Sequence, residues 1–265
     1  MWRNIDMAGQ RKKIYKSLHK HGTGIRSTVS TSAFFNADDV HSFRTHVKKV
    51  RAFLHWLGRD KKQLPHAFIE IYRISGELRD IQVLLQSIED GKDAPHAFTA
   101  WLHDNAGRLQ QLWDDHYHPG IIRRLERRLQ RPDLKKPTAN RMQSFFNSGV
   151  EKIESVVYLP APDDEELHEM RKRLKEMYYI YDWGKEHDYT QSDDATPELL
   201  KKLGEDCGHF NDIRIALVLL NAYIQQEKDD AAHQSAVELK QRWEEDRLNK
   251  KAQLLQTLRD FVAAY

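Results

Sequence analysis

The sequence predicts an all-α fold built as two four-helix units related by internal duplication. Three observations carry that reading. Twelve glycines and eight prolines in 265 residues fall well below average usage, too few for the turns of an all-β chain or for a disordered one. Apolar residues make up 40% and charged residues 31%, the balance of solvated helices around a modest core. The third observation is a match of the chain with itself, set out below.

Punctuation residues divide the chain into helices expected at about 3–21, 37–57, 64–90, 94–116 with a basic extension at 119–131, 138–157, 163–187, 196–226 and 229–264. Asp38 or Asp39 is placed to cap the second helix and Asp163 the sixth. Pro65, Pro95 and Pro119 sit at starts, where the missing N–H would have no helical partner anyway. Thr196 followed by Pro197 sets a cap before a first-turn proline. The stretch from Tyr158 to Pro162 (Tyr-Leu-Pro-Ala-Pro) reads as a linker.

Composition also excludes several classes. The longest aliphatic run, Ile215 to Leu220, is far short of the roughly 18 residues that suggest a bilayer span. The first residues, MWRNIDMAGQRKK, lack the apolar stretch of a secretory signal. A single cysteine, Cys207, rules out an internal disulfide or a multi-cysteine zinc site. The mean hydropathy of −0.76 completes the expectation of a soluble, cytoplasmic protein without a membrane partner.

Net charge is only +2, but charge is segregated. Residues 11–62 hold thirteen Lys/Arg against three Asp, and residues 123–136 hold seven against Glu126 and Asp133. Residues 151–166 carry six acids and only Lys152. Such separation creates a concentrated positive surface despite a near-neutral total.

A shift of 127 residues lays His41, Arg44, Lys48 and Trp56 on His168, Arg171, Lys175 and Trp183. The apolar pairs Val40/Leu167, Phe43/Met170, Val47/Leu174, Val50/Met177 and Phe53/Ile180 agree in kind. A shift of 132 lays the stretch from Gly76 (GELRDIQVLL) on that from Gly208 (GHFNDIRIAL). The five extra residues fall in the connection before Thr196. The two units are therefore about 1–137 and 138–265.

On a helix, offsets of 0, 3, 7 and 10 fall within about 80° of arc. His41, Arg44, Lys48 and Arg51 thus form one cationic ridge roughly 15 Å long, and His168, Arg171 and Lys175 begin a second. Like charges at these spacings destabilise a helix by tenths of a kcal/mol, and finding them twice argues for an anionic ligand that offsets the repulsion. Arginine suits phosphate as a fork and lysine as a point charge. For His41 and His168, phosphate contact and structural support remain equal readings. Trp56 and Trp183 are expected in the core. Asp80 and Asp212 are expected to orient neighbouring basic groups or cap local donors.

The doubled pattern aliphatic-His-x-x-Arg-x-x-x-Lys, here VHSFRTHVKKVRAFLHWL and LHEMRKRLKEMYYIYDW, is followed in each unit by GELRDIQVLL or GHFNDIRIALVLL. It resembles the CHAD family, whose name expands to conserved histidine α-helical domain, over about residues 10–262. The resemblance implies two tandem four-helix bundles with pseudo-two-fold symmetry around a basic central cleft. It also implies non-catalytic binding of inorganic polyphosphate, with polyphosphate granules or polyphosphate-metabolising proteins as further partners. Carried over residue by residue, it assigns the ligand to His41, Arg44, Lys48, Lys49 and Arg51, and to His168, Arg171 and Lys175. Glu176 and Tyr178 stand where the second motif looks basic in the family, so the second ridge is weaker, with Lys172 and Arg173 offering charge from an adjacent face. Arg108, Lys240, Arg247 and Lys250 are added on charge and position. Many relatives carry an N-terminal triphosphate tunnel domain marked by Glu-x-Glu-x-Lys. No such motif is present, so a stand-alone module is expected.

Two other classes compete. Asp38-x-x-His41, Glu165-x-x-His168 and Asp206-x-x-His209 have the carboxylate–histidine spacing of di-iron bundles, and His103-Asp104 and His187-Asp188 are reminiscent of metal phosphohydrolases. Cations around the histidines oppose a divalent metal, however, and capping explains the acids at helix starts, so no metal or cofactor is expected. Nucleic-acid binding is the nearer rival, since a phosphate-reading ridge does not exclude it. Stacking would call for exposed aromatics among the basic residues, but most aromatics fall at apolar-periodic positions, with Tyr178 and Tyr179 the main exceptions.

Overall fold

The computed structural model describes residues 7–30, 36–59, 64–91, 93–130, 139–187 and 196–264. Among the described residues the regular secondary structure is all helix. The helices are α1 (Met7–Val29), α2 (Ala37–Trp56), α3 (His66–Glu89), α4 (His96–His116), α5 (Pro119–Gln130), α6 (Ala139–Val157), α7 (Asp164–Glu186), α8 (Thr196–Ile224) and α9 (Asp230–Ala264). No helix among these residues is long and apolar enough to cross a membrane. The expected helical residues 3–6, 131 and 138, the connection 188–195 and Asp188 lie outside the described residues.

Two boundaries differ from expectation. α1 runs past Gly22 and Gly24 to Val29. These glycines mark close approaches rather than a stop: a Cβ on Gly24 would stand 2.4 Å from His46 Nε2 of α2, and one on Gly22 3.5 Å from Leu129 of α5. The cap of α2 is Asn36, whose side chain accepts from the Asp39 N–H, 2.7 Å away. Asp38 and Asp39 occupy its first turn instead, where they favour the positive end of the helix dipole. Asp163 does cap α7, in a reciprocal capping box with Glu166. Pro65 and Pro95 precede α3 and α4, and Pro119 opens α5, so the basic extension is a helix of its own.

Packing follows a repeated order. α1 lies on α2, α2 on α3, α3 on α4, and α5 returns to α1. α6 lies on α7, α7 on α8, α8 on α9, and α9 returns to α6. α2 packs against α7 and α3 against α8, joining the two sets through their middles. Trp56 and Trp183 are both buried there, as expected, with ring centroids 5.4 Å apart. The Trp183 indole N–H donates to Ser17 Oγ at 2.8 Å. One apolar cluster runs through this junction and draws on all nine helices. A smaller one joins the far ends of α3 and α8 to the starts of α4 and α9. Tyr178 and Tyr179, expected to stand apart from the core, are half-buried against it.

Candidate functional site

The repeated basic residues gather where α2, α3, α7 and α8 meet. On α2, burial of Val40, Phe43, Val47 and Val50 leaves Arg44, Lys48 and Arg51 on the flank toward α3 and α7. Arg44 Nη1 donates to the Tyr72 carbonyl at 3.0 Å and to Ser75 Oγ at 3.3 Å. Its guanidinium lies 4.7 Å from the centre of the Tyr72 ring, and that of Arg51 lies 5.6 Å from the same centre. Each such contact contributes about 0.5–1 kcal/mol at a solvated site. One tyrosine thus holds two like charges side by side. Gly76 makes room for Arg44: a Cβ there would stand 2.7 Å from Nη1.

α7 repeats the arrangement with different supports. Leu167, Met170, Leu174 and Met177 are buried, and Arg171 and Lys175 run along α8 over its glycines. A Cβ on Gly208 would lie 3.9 Å from Arg171 Nε, and one on Gly204 3.1 Å from Lys175 Cε. Arg171 Nε and Arg214 Nε are buried without a hydrogen-bond partner among the described residues. A buried charged donor left unpaired is costly, so the cluster favours an incoming acceptor.

The two ridges converge on Lys48. Burial, followed by the charges of Arg44, Arg171 and Lys175, pushes its pKa down to about 7, against the opposing charge of Asp80. Lys48 as a whole is half-buried. Burial and then Arg171 lower the pKa of Lys175 as well. Asp80 itself is raised, by burial first and by Asp212, against the pull of Arg44, Lys48 and Arg171. The acids beside the cluster therefore only partly neutralise it.

The two histidines differ. His41 is exposed, but protein beneath the ring and then Arg79 and Lys48 lower its pKa. His168 Nδ1 lies 2.8 Å from Asn211 Oδ1. With Nδ1–H donating there, Nε2 is an acceptor when neutral and a donor once protonated. Burial and then Lys172 lower its pKa against that hydrogen bond. Arg79, which stands in the first unit where Asn211 stands in the second, donates to the Ala37 carbonyl at 3.1 Å.

Other sequence-derived positions fall elsewhere. Lys49 lies 5.7 Å from the centre of the Tyr179 ring on α7, and its charge bears on His21 and His46. Lys172 pairs with Glu169 at 2.5 Å and lines a smaller hollow with Arg51, His55 and Glu176. Arg173 is buried, donates to the Phe145 carbonyl and stacks on that ring at 3.9 Å; it anchors α7 to α6 and is not spare charge for the ridge. Glu176 lies 2.6 Å from His55 Nδ1 and 3.4 Å from Arg173 Nη1, so it faces away from Arg171 and Lys175. Arg108 on α4 is exposed and bonds to Asn105 at 2.6 Å. Lys240 is half-buried on α9. Arg247 is engaged by Asp164 at 2.8 Å and Glu244 at 2.9 Å. Lys250 lines a hollow with Asp80, Asp212 and Asp246.

Sequence reasoning missed Tyr72 and Ser75, and gave no role to the repeated glycines Gly76 and Gly208. Their equivalence under the 132-residue shift was the available signal. Of the carboxylate–histidine spacings, Glu165 and His168 join Glu169 in the one grouping among the described residues whose ligand atoms lie within 4.8 Å of one another. Glu169 is paired with Lys172, and Arg214 stands 3.9 Å from Glu165, so cations already serve these carboxylates.

A family model described as CHAD domain matches residues 15–220. Among solved structures, the chain is similar to the crystal structure of the CHAD domain from the plant Ricinus communis. The TM-score is 0.75 at 18% identity, over 100% of this chain and 94% of that one. It is also similar to PptA from Streptomyces chartreusis, with a TM-score of 0.65 at 10% identity, over 94% of this chain and 98% of that one. At these identities the likeness concerns the fold. No match was found among curated proteins.

Proposed function

The chain belongs to the CHAD domain family, and on that premise we propose that it binds inorganic polyphosphate along the two ridges, as a non-catalytic module. The observation that carries this reading is the convergence of Arg44, Arg171 and Lys175 on Lys48, an excess of positive charge that Asp80 opposes only in part. A chain of phosphates with one charge per unit suits such a row better than a single phosphate does, because each added unit meets another cation. Arg171 Nε and Arg214 Nε supply donors that a phosphate oxygen would satisfy.

The same proposal reads residues 1–137 and 138–265 as two four-helix halves related by duplication and a pseudo-two-fold axis, with the cleft between them. Three features support it. The packing order repeats, and the stretch from His96 to Gln130 matches in length the 35 residues of α9. The repeat-related Trp56 and Trp183 also touch, as equivalent residues beside such an axis would. A cytoplasmic location, with association to polyphosphate granules or polyphosphate-metabolising proteins, follows from this ligand.

Calorimetry with long-chain polyphosphate, orthophosphate and duplex DNA side by side tests the reading. Polyphosphate should bind at least a hundredfold more tightly than orthophosphate and clearly more tightly than DNA. Equal affinity for DNA would move the assignment to nucleic acid, and equal affinity for orthophosphate would end it.

A further inference from the structure

A cationic cavity lies away from the two ridges. It holds about 710 Å³ between α5, the end of α1 and the start of α3, a volume ordinary for small-molecule sites. α5, PGIIRRLERRLQ, buries Ile122, Leu125 and Leu129 and turns its arginines outward. Its one acid is already committed: Glu126 accepts from Arg26 Nε at 2.7 Å and from Arg26 Nη2. Arg123, Arg124 and Arg127 line the cavity with no carboxylate partner among the described residues. Three unneutralised guanidinium groups at spacings of one, three and four residues repel one another. Pro65 and Ala67 at the start of α3 and Ile121 of α5 add apolar surface to the lining.

The fold does not require these arginines. The end of α9 returns to α6 as α5 returns to α1, yet its last thirteen residues, AQLLQTLRDFVAA, contain Arg259 alone, beside Asp260. The guanidinium group suits bidentate contact with phosphate oxygens. We propose that this cavity is a separate site for a phosphorylated organic small molecule of nucleotide type, with its phosphates on Arg123, Arg124 and Arg127 and its apolar body against Pro65, Ala67 and Ile121.

ATP serves as the probe because it joins three phosphates to a flat apolar base, and calorimetry on the full chain reads the affinity. The protein should show one saturable ATP site at least tenfold tighter than its site for adenosine. Once Arg44→Ala/Lys175→Ala removes the ridge that also takes phosphate chains, it should also be at least tenfold tighter than the site for inorganic triphosphate. Arg123→Ala/Arg127→Ala, both exposed, should weaken that site at least tenfold with an unchanged melting temperature. The cleft variant Arg44→Ala/Lys175→Ala should leave it within twofold. Loss of ATP binding in the cleft variant, retention in the α5 variant, or triphosphate binding as tightly as ATP in the cleft variant would each overturn the assignment. Long-chain polyphosphate affinity, measured on the same variants, reports on the cleft separately.

Discussion

The Arg44 guanidinium rests directly on the backbone of Gly76, with no room for a side chain between them. In the second half Arg171 passes Gly208 with a gap, a Cβ there meeting it at an ordinary 3.9 Å. Both glycines lie inside helices, where alanine is intrinsically better by about 0.8–1 kcal/mol.

Gly208→Ala should therefore raise the melting temperature and leave polyphosphate affinity within twofold. Gly76→Ala should displace Arg44 from the Tyr72 carbonyl and lower affinity several-fold, with its helix gain offset by the displacement. Thermal melts and calorimetry on both variants read this contrast. Equal effects from the two alanines would show that Arg44 placement is unimportant.

Lys48 gives the site a pH dependence. Its pKa is lowered from 10.5 to about 7 in the folded protein, so between those values the unfolded chain binds more protons and stability rises with pH. At pH 6 the folded state bears the full repulsion of a charged Lys48 beside Arg44, Arg171 and Lys175. Lys48→Met should thus stabilise the protein most at pH 6, with the gain shrinking toward pH 10. A polyanion reverses the balance by favouring the ammonium, so binding at pH 8 should take up protons. Calorimetry in buffers of different ionisation enthalpy would measure that uptake. It should fall in Lys48→Arg, and an unchanged uptake there would exclude Lys48 as the group responsible.

Glu176 carries a stability prediction. The second motif departs from the family's basic pattern here, yet the carboxylate serves His55 and the buried Arg173. Glu176→Lys should destabilise the protein by about 1–3 kcal/mol, the cost of leaving a buried donor unsatisfied, and should not tighten polyphosphate binding. A tighter complex with an unchanged melting temperature would put Glu176 back in the cleft.

Much of this site was legible because helical spacing converts a residue count into a face. The fourfold match of His41, Arg44, Lys48 and Trp56 locates two ridges and a tryptophan pair from spacing alone. What escaped depends on partners in other helices. Gly22 and Gly24 interrupt α1 in the sequence, but they are contact points for α5 and α2. Arg247 has the charge of a ligand residue, and only the fold brings Asp164 to it. Arg173 looks like spare charge on α7 until Phe145 of α6 closes over it. Tyr72 is one aromatic among many until two guanidinium groups share its ring.

The last prediction concerns the balance between the ridges. From the sequence, Glu176 and Tyr178 made the second ridge the weaker one. With Glu176 turned to His55 and Arg173, Arg171 and Lys175 keep their full attraction and share one cluster with Arg44 and Lys48. Charge-assisted contacts are worth roughly 1.5–3 kcal/mol each. Arg44→Glu/Lys48→Glu and Arg171→Glu/Lys175→Glu should therefore each cut polyphosphate affinity by about a hundredfold or more, and by similar factors. Counterion release for a single-stranded polyanion contributes about 0.7 to the salt slope per neutralised phosphate. By that analogy, four to six contacts give a wild-type slope of about 3–4, and either double reversal should flatten it by more than one unit. Both variants need native-like helical circular dichroism before comparison. A salt slope near zero in the wild type, or a loss confined to one ridge, would mean that the ligand does not lie across both.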